Sequence, residues 1–128
     1  MRYRLVALDL DGTLLNNKMQ IQRETVDAIN RVRRRGVQVM LATGRHHVAA
    51  YPYWDQLQLE LPAVCGNGSY VYDYQVRRAL AANPLTKPQS QQLLQIARKH
   101  RIYCMIYADD VMAYEVRSPH RNALMNWA

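Results

Sequence analysis

Apolar and polar positions along the chain alternate in blocks, and the blocks change character halfway. Arg4 to Leu8, continuously apolar from Leu5, predicts a strand buried on both faces of a parallel sheet. A polar loop from Asp11 to about Gln20 follows. Between about Gln22 and Arg35, Val26, Ile29 and Val32 recur at helical spacing, with Thr25 and Ala28 beside them; Gly36 stops that helix. Val37, Val39, Met40, Leu41 and Ala42 predict a second strand, broken by Thr43-Gly44-Arg45. Residues from His46 to about Leu57 predict a second helix, with Pro52 expected at a kink or boundary. Pro62-Ala63-Val64-Cys65 is a third short strand.

Strand alternating with helix predicts a doubly wound, Rossmann-like α/β sheet with right-handed crossovers. Ligands of such sheets bind outside the carboxyl ends of the strands. Asp9 to Thr13, Thr43 to Arg45 and Gly66 to Gly68 are all expected there. After Gly68 the pattern shifts: Tyr70 to Tyr74 and Val76 to Leu80 predict a hairpin. Thr86-Lys87-Pro88-Gln89 has the form of a capping box, opening a helix with Leu93, Leu94, Ile96 and Ala97 on its inner side. Ile102 to Tyr107 and Val111 to Val116 predict strands joined through Ala108-Asp109-Asp110. A boundary is expected near residue 81, with an α/β core over 1–80 and an α+β unit over 81–128.

Composition narrows the class. Hydrophobic residues make up 49% of the 128, enough for a packed core, and no apolar stretch is long enough to span a membrane. The short run after Met1-Arg2-Tyr3-Arg4 is interrupted by Asp9 and Asp11, unlike a signal peptide, so a soluble cytoplasmic protein is expected. Cys65 and Cys104 have no metal-ligand spacing and are expected to be structural thiols. The net charge of +7 permits phosphorylated small molecules or nucleic acid as partners. Its densest cluster, Arg31 with Arg33 to Arg35, is expected to complement a helix C-terminus, which makes nucleic acid the weaker reading.

Chemistry concentrates at Asp9-Leu10-Asp11-Gly12-Thr13. Two carboxylates two residues apart at a strand mouth suit phosphoryl transfer, one attacking phosphorus while the other handles protons. Repulsion between a carboxylate and a phosphate dianion calls for a divalent cation, and Mg²⁺ suits oxygen ligands. Gly12 lets the backbone approach the phosphoryl group, and the Thr13 hydroxyl can fix the carboxylates. A calcium loop is excluded, since Leu14, Leu15 and Lys18 supply no further oxygen ligands. Adjacent His46 and His47 point apart on a helix and make a poor metal pair.

The string Ala7-Leu8-Asp9-Leu10-Asp11-Gly12-Thr13-Leu14-Leu15-Asn16 resembles the first motif of the haloacid dehalogenase superfamily, specifically its Cof-type phosphatases. The resemblance implies that Asp9 is the nucleophile and a magnesium ligand. It implies that Asp11 is the general acid/base and binds magnesium through its backbone carbonyl, and that the Leu10 backbone contributes to phosphate binding. Val39 to Arg45 resembles the second motif, which makes the Thr43 hydroxyl and Gly44 amide phosphate ligands at the start of the following helix. Arg45 and Asn67 become candidates close to the substrate. Cys65-Gly66-Asn67-Gly68 resembles the family's Asn-Gly turn after the third strand, though Asn-Gly is equally a hairpin turn. Residues beyond 81 resemble the beginning of a C2-type cap, and the whole is most similar to the pyridoxal phosphate phosphatases.

The resemblance also implies a later lysine and a later Gly-Asp-x-x-x-Asp strand end. No such acidic motif follows residue 81, and Lys87 and Lys99 fall in the cap-like region, so neither is assigned the lysine's role. The expectation is therefore an N-terminal portion of a phosphomonoester hydrolase for pyridoxal phosphate or a sugar phosphate, incomplete and inactive alone. The alternative is a non-catalytic module that binds a phospho-ligand or a partner chain. An exposed sheet edge leaves room for homo-oligomers.

Overall fold

A computed structural model of the chain describes residues 3–114. The chain forms two compact units that meet in sequence between Asn83 and Pro84. In the first, strands β1 (Leu5–Leu8), β2 (Gln38–Leu41) and β3 (Ala63–Cys65) alternate with helices α1 (Arg23–Arg34) and α2 (His47–Gln56). β1 and β2 pair in parallel, Leu5 opposite Gln38 and Leu8 opposite Leu41. A parallel bridge from Ala42 to Val64 extends the sheet to β3. β3 then pairs antiparallel with β4 (Tyr70–Asp73), and β4 with β5 (Arg78–Ala82).

Strand parity decides what is covered. Val6, Leu8, Val39, Leu41, Ala63 and Cys65 share one face, and all of these but Val6 join Ile29 of α1, Ala50 of α2 and Leu57 at its C-cap in a single core. Both helices therefore lie on the same side. A chain stepping from β1 to β2 to β3 in one direction, with crossovers of one hand, can do nothing else. Leu5, Ala7, Gln38, Met40, Ala42 and Val64 form the opposite face, and none of them is buried. The expected strand buried on both faces is thus half-buried, with Leu5 46% exposed, because no second layer exists among the described residues.

The α-helices among the described residues, α1, α2 and α3 (Lys87–Lys99), end in the same way. The residue two past the last helical one is left-handed: Gly36 (φ 79°), Gln58 (φ 50°) and Arg101 (φ 53°). The following amide then bonds back five residues, as Leu59 does to the Trp54 carbonyl at 3.1 Å and Ile102 to Ala97 at 2.8 Å. This wrap consumes Ile102, so the strand expected from Ile102 begins at Met105. Pro52, expected at a kink or boundary, lies inside α2; the bonds from Ala50 to His46 and from Leu57 to Tyr53 hold the helix on either side of it. Nearby, Arg33 donates to the Leu57 carbonyl at 3.1 Å and pairs with Glu60 at 3.4 Å, so this cation of the arginine cluster ties α1 to the end of α2.

The predicted hairpin forms with its second strand two residues later than expected. The Asp73 carboxylate accepts from the amides of Gln75 at 2.8 Å and Val76 at 3.3 Å, which draws Val76 into the turn. The second unit contains α3 (Lys87–Lys99) and the antiparallel pair β6 (Met105–Ala108) and β7 (Val111–Tyr114). Thr86 and Gln89 make the expected capping box. Ala97 is buried, but Leu93 and Ile96 are 48% and 45% exposed rather than inward. One hairpin is the only other regular element described there, too small a layer to cover the whole apolar stripe. Glu115 and Val116, expected in the last strand, lie outside the described residues. No helix among those described is long and apolar enough to cross a membrane.

Candidate active site

Asp9 follows the last residue of β1, and Leu10 to Leu14 make one wide turn closed by the Leu15 amide on the Leu10 carbonyl at 2.9 Å. Leu10 and Leu14 are buried and anchor the turn in the core. Gly12 adopts φ 76° with open space around it, so backbone conformation rather than crowding demands glycine. The Thr13 hydroxyl donates to Asp9 Oδ2 at 3.3 Å. A bridge between buried Leu15 and Ile21 closes the loop behind, with Asn16 Oδ1 accepting from the amides of Lys18 and Gln20.

The end of β2 supplies the second group. Thr43 is 3% exposed, and its Oγ1 accepts from the Arg45 amide at 3.1 Å, which leaves the hydroxyl hydrogen to donate to an anion. Arg45 is also 3% exposed. Its guanidinium grips Asp11 with two bonds, Nε to Oδ2 and Nη2 to Oδ1, each 2.8 Å. Those bonds to Asp11 hold the Arg45 pKa above its ordinary value, against the opposing effect of burial. Its Cζ sits 5.2 Å from the Tyr53 ring centroid.

The third group follows β3. Gly66, Asn67 and Gly68 all have positive φ (58°, 55° and 86°) and carry the chain from β3 into β4. The Gly66 amide bonds the Arg45 carbonyl at 2.9 Å, and the Asn67 amide bonds that of Thr43 at 3.3 Å. A Cβ on Gly44 would stand 2.6 Å from Asn67 Oδ1, so glycine there is what lets the Asn67 amide lie against the backbone. The two readings of Asn-Gly are therefore compatible: it turns an antiparallel pair and approaches the second strand end.

The structure thus brings Asp11, Thr43, Gly44, Arg45 and Asn67 into one contact set, with Asp9 at its β1 edge. The ion pair between Arg45 and Asp11 was not foreseen, since nothing in local spacing joins residues 34 apart. The histidines also depart from expectation. His46 is the N-cap of α2 with extended backbone, so helical spacing does not separate the rings, whose centroids lie 4.1 Å apart. His47 is buried and stacks on Tyr72 at 3.9 Å, while its amide donates to the Tyr70 hydroxyl at 2.9 Å. Tyr74 donates to the His47 carbonyl at 2.8 Å. The tyrosines of β4 and the one just after it thereby fix the first turn of α2.

Among the described residues, no three of His, Cys, Asp and Glu come together to hold a metal. The oxygen donors at hand, the Asp9 carboxylate and the Asp11 carbonyl, match in kind what magnesium takes when it keeps most of its water. Asp11's carboxylate is instead committed to Arg45.

Paired carboxylates, a buried threonine and a helix N-terminus thus meet at adjoining strand ends of an α/β unit. The profile of the haloacid dehalogenase-like hydrolases matches residues 6–126, and the chain belongs to that family. It is 41% identical over its full length to the pyridoxal phosphate phosphatase YbhA of Escherichia coli, of which it covers 47%. It is 42% identical over 71 residues, 56% of its length, to an HMP-PP phosphatase of Serratia proteamaculans, covering 26% of that protein. The crystal structure of a haloacid dehalogenase-like hydrolase from Bacteroides thetaiotaomicron superposes on 98% of this chain and 49% of that one, with a TM-score of 0.82 at 24% identity. The chain thus spans about half the length of YbhA and of that crystal structure.

Proposed function

We propose that these residues form the phosphoryl-accepting half of a magnesium-dependent phosphomonoesterase. The carrying observation is the meeting of three strand ends at Asp11, Arg45 and Asn67 beside Asp9, in a chain of this family. Asp9 attacks phosphorus as the bond to the leaving oxygen breaks, giving an aspartyl phosphate. Asp11 protonates the departing alkoxide, then takes a proton from the water that releases phosphate. Arg45 presents Asp11 as a carboxylate, the form the second step requires. For the first step Asp11 carries a proton, so one of the Arg45 bonds gives way. Thr43 and Gly44 hold phosphoryl oxygens at the N-terminus of α2, and the Leu10 amide assists. Asn67 and Arg45 border the substrate.

Magnesium held by Asp9 and the Asp11 carbonyl supplies positive charge against the repulsion between carboxylate and dianion. Pyridoxal phosphate is the first substrate to test, given the identity to YbhA, with sugar phosphates next. The region from 81 onward is read as the start of a C2-type cap, and the cytoplasm as the compartment. With few metal donors, the 128 residues alone are expected to hydrolyse little. The direct test is a chimera in which this chain replaces the 47% of YbhA that it matches. Its hydrolysis of pyridoxal phosphate should need Mg²⁺ and vanish in Asp9→Asn. Undiminished turnover by Asp9→Asn, or robust turnover by the 128 residues alone, contradicts the reading.

A further inference from the structure

A cleft opens at the amino end of β2, the opposite end of that strand from Thr43 and Gly44. It lies between the last turns of α1, the start of β2 and the segment Glu60–Leu61 that leads into β3. Its volume is about 440 Å³, within the range of small-molecule sites. The floor is apolar. Val37 and Val39 are 8% and 5% exposed and alternate onto the helix-bearing face of the sheet, with Leu61 beside them.

Polar side chains border that floor, and they differ in how they are committed. Arg33 donates to the Leu57 carbonyl and pairs with Glu60 at 3.4 Å, so those two charges cancel. Arg34 has no such counterpart. Among the described residues neither it nor Asn30, one helical turn earlier on the same face, has a side-chain hydrogen bond or ion pair. Nor is Arg34 needed to cap the helix, since the amides of Arg35, Gly36 and Val37 take the carbonyls of Val32 and Arg33. The arginine cluster at the end of α1 thus divides: Arg33 ties two helices, and Arg34 is a charge left over beside an apolar floor. One positive charge in the lining remains uncompensated.

We propose that this cleft is a binding site for a small monocarboxylate with an apolar body. Arg34 takes the carboxylate through its planar fork, and the Asn30 side-chain amide donates alongside. Val37, Val39 and Leu61 receive the apolar part. A single negative charge matches the single uncompensated cation, whereas a phosphate dianion would bring excess negative charge beside Glu60. Every residue involved lies before Asn83, within one compact unit. None belongs to the strand-end set around Asp11 and Arg45, so the inference stands or falls apart from the catalytic reading.

Amide chemical shifts of the isotope-labelled 128-residue chain, titrated with benzoate, test it. Benzamide and acetate are the controls, removing the charge and the apolar body in turn. Benzoate should move the amides of Arg34, Gly36 and Val39 along one saturating curve and leave Gly44 and Asn67 in place. Benzamide and acetate should each bind at least about tenfold more weakly. Arg34→Gln should weaken benzoate at least about tenfold, and Asn30→Ala roughly threefold to tenfold. Arg31→Gln removes the same charge from α1 without touching the lining, so it should change the affinity by less than about twofold. Equal weakening by Arg31→Gln and Arg34→Gln reduces the effect to general positive charge and overturns the proposal. So do benzamide binding as tight as benzoate's, shifts that never saturate, or shifts centred on Gly44 and Asn67. A spectrum without dispersed β2 amides overturns it too, because the cleft is built within these residues alone.

Discussion

Replacing Arg45 with alanine removes two 2.8 Å charge-assisted bonds and a side chain that is 3% exposed, and it leaves Asp11 without its clamp. Breaking a fully buried pair by deleting one partner costs about 3–5 kcal/mol. The Asp11 side chain is 31% exposed, so water recovers part of that cost, and the expected loss is about 2–3 kcal/mol. For a unit of this size, that lowers the melting temperature by roughly 10–20 °C. Arg45→Lys keeps the charge but not the two-pronged geometry, and should lose about 1 kcal/mol. Urea denaturation of the parent, Arg45→Ala, Asp11→Asn and the double variant closes a cycle. It should show a coupling of about 1–2 kcal/mol between these positions. A coupling within about 0.3 kcal/mol of zero, which is the scatter of independent sites, refutes the view that this pair joins the first two strand ends.

Backbone and thiol chemistry supply further tests. Gly66→Ala puts a Cβ at φ 58° against Ser69 Oγ and 2.9 Å from Tyr70 Cε1, whereas Gly12→Ala meets only its φ of 76°. Denaturant midpoints should show Gly66→Ala costing more than the roughly 1–2 kcal/mol expected for the left-handed penalty alone at Gly12. Gly44→Ala should displace Asn67, lowering phosphate affinity with little change in melting temperature; an unchanged affinity contradicts the contact set. Burial pushes the Cys65 thiol up to about 11, although Tyr74 pulls the other way. A thiol reagent at pH 8 should therefore modify Cys104 well before Cys65. Because the folded state holds the Cys65 proton more tightly than the unfolded one, stability should fall as pH rises from about 9 to 11. Cys65→Ala should lessen that fall, the remainder coming from Tyr74, whose pKa burial also raises.

How much was legible in the sequence follows from which signals are local. Helical spacing of Val26 and Ile29, the glycine stop at Gly36 and the capping box at Thr86 are read within one turn of chain, and each corresponds to an observed element. Boundaries moved where side chains or carbonyls took a residue out of its expected strand, as Asp73 does to Val76 and the wrap at Ala97 does to Ile102. Strand ends could be placed because α/β order forces them to one edge. The Arg45 grip on Asp11, the seat of Asn67 over Gly44 and the tyrosine pins on His47 could not. They join residues 34, 23 and 27 positions apart in sequence or depend on a left-handed turn. The apolar run at Leu5 correctly indicated a strand, but its burial depends on a layer that spacing within these residues cannot reveal.

The central claim is that Asp9 accepts the phosphoryl group, and trapping that group tests it most directly. The chimera carrying these residues should be quenched in acid during turnover of labelled pyridoxal phosphate, then digested and mapped by mass spectrometry. The account predicts an alkali-labile phosphoryl group on the peptide containing Asp9, lost in Asp9→Asn and retained in Asp11→Asn. A phosphoryl group on another residue, or turnover in Asp9→Asn equal to the parent's, would contradict it.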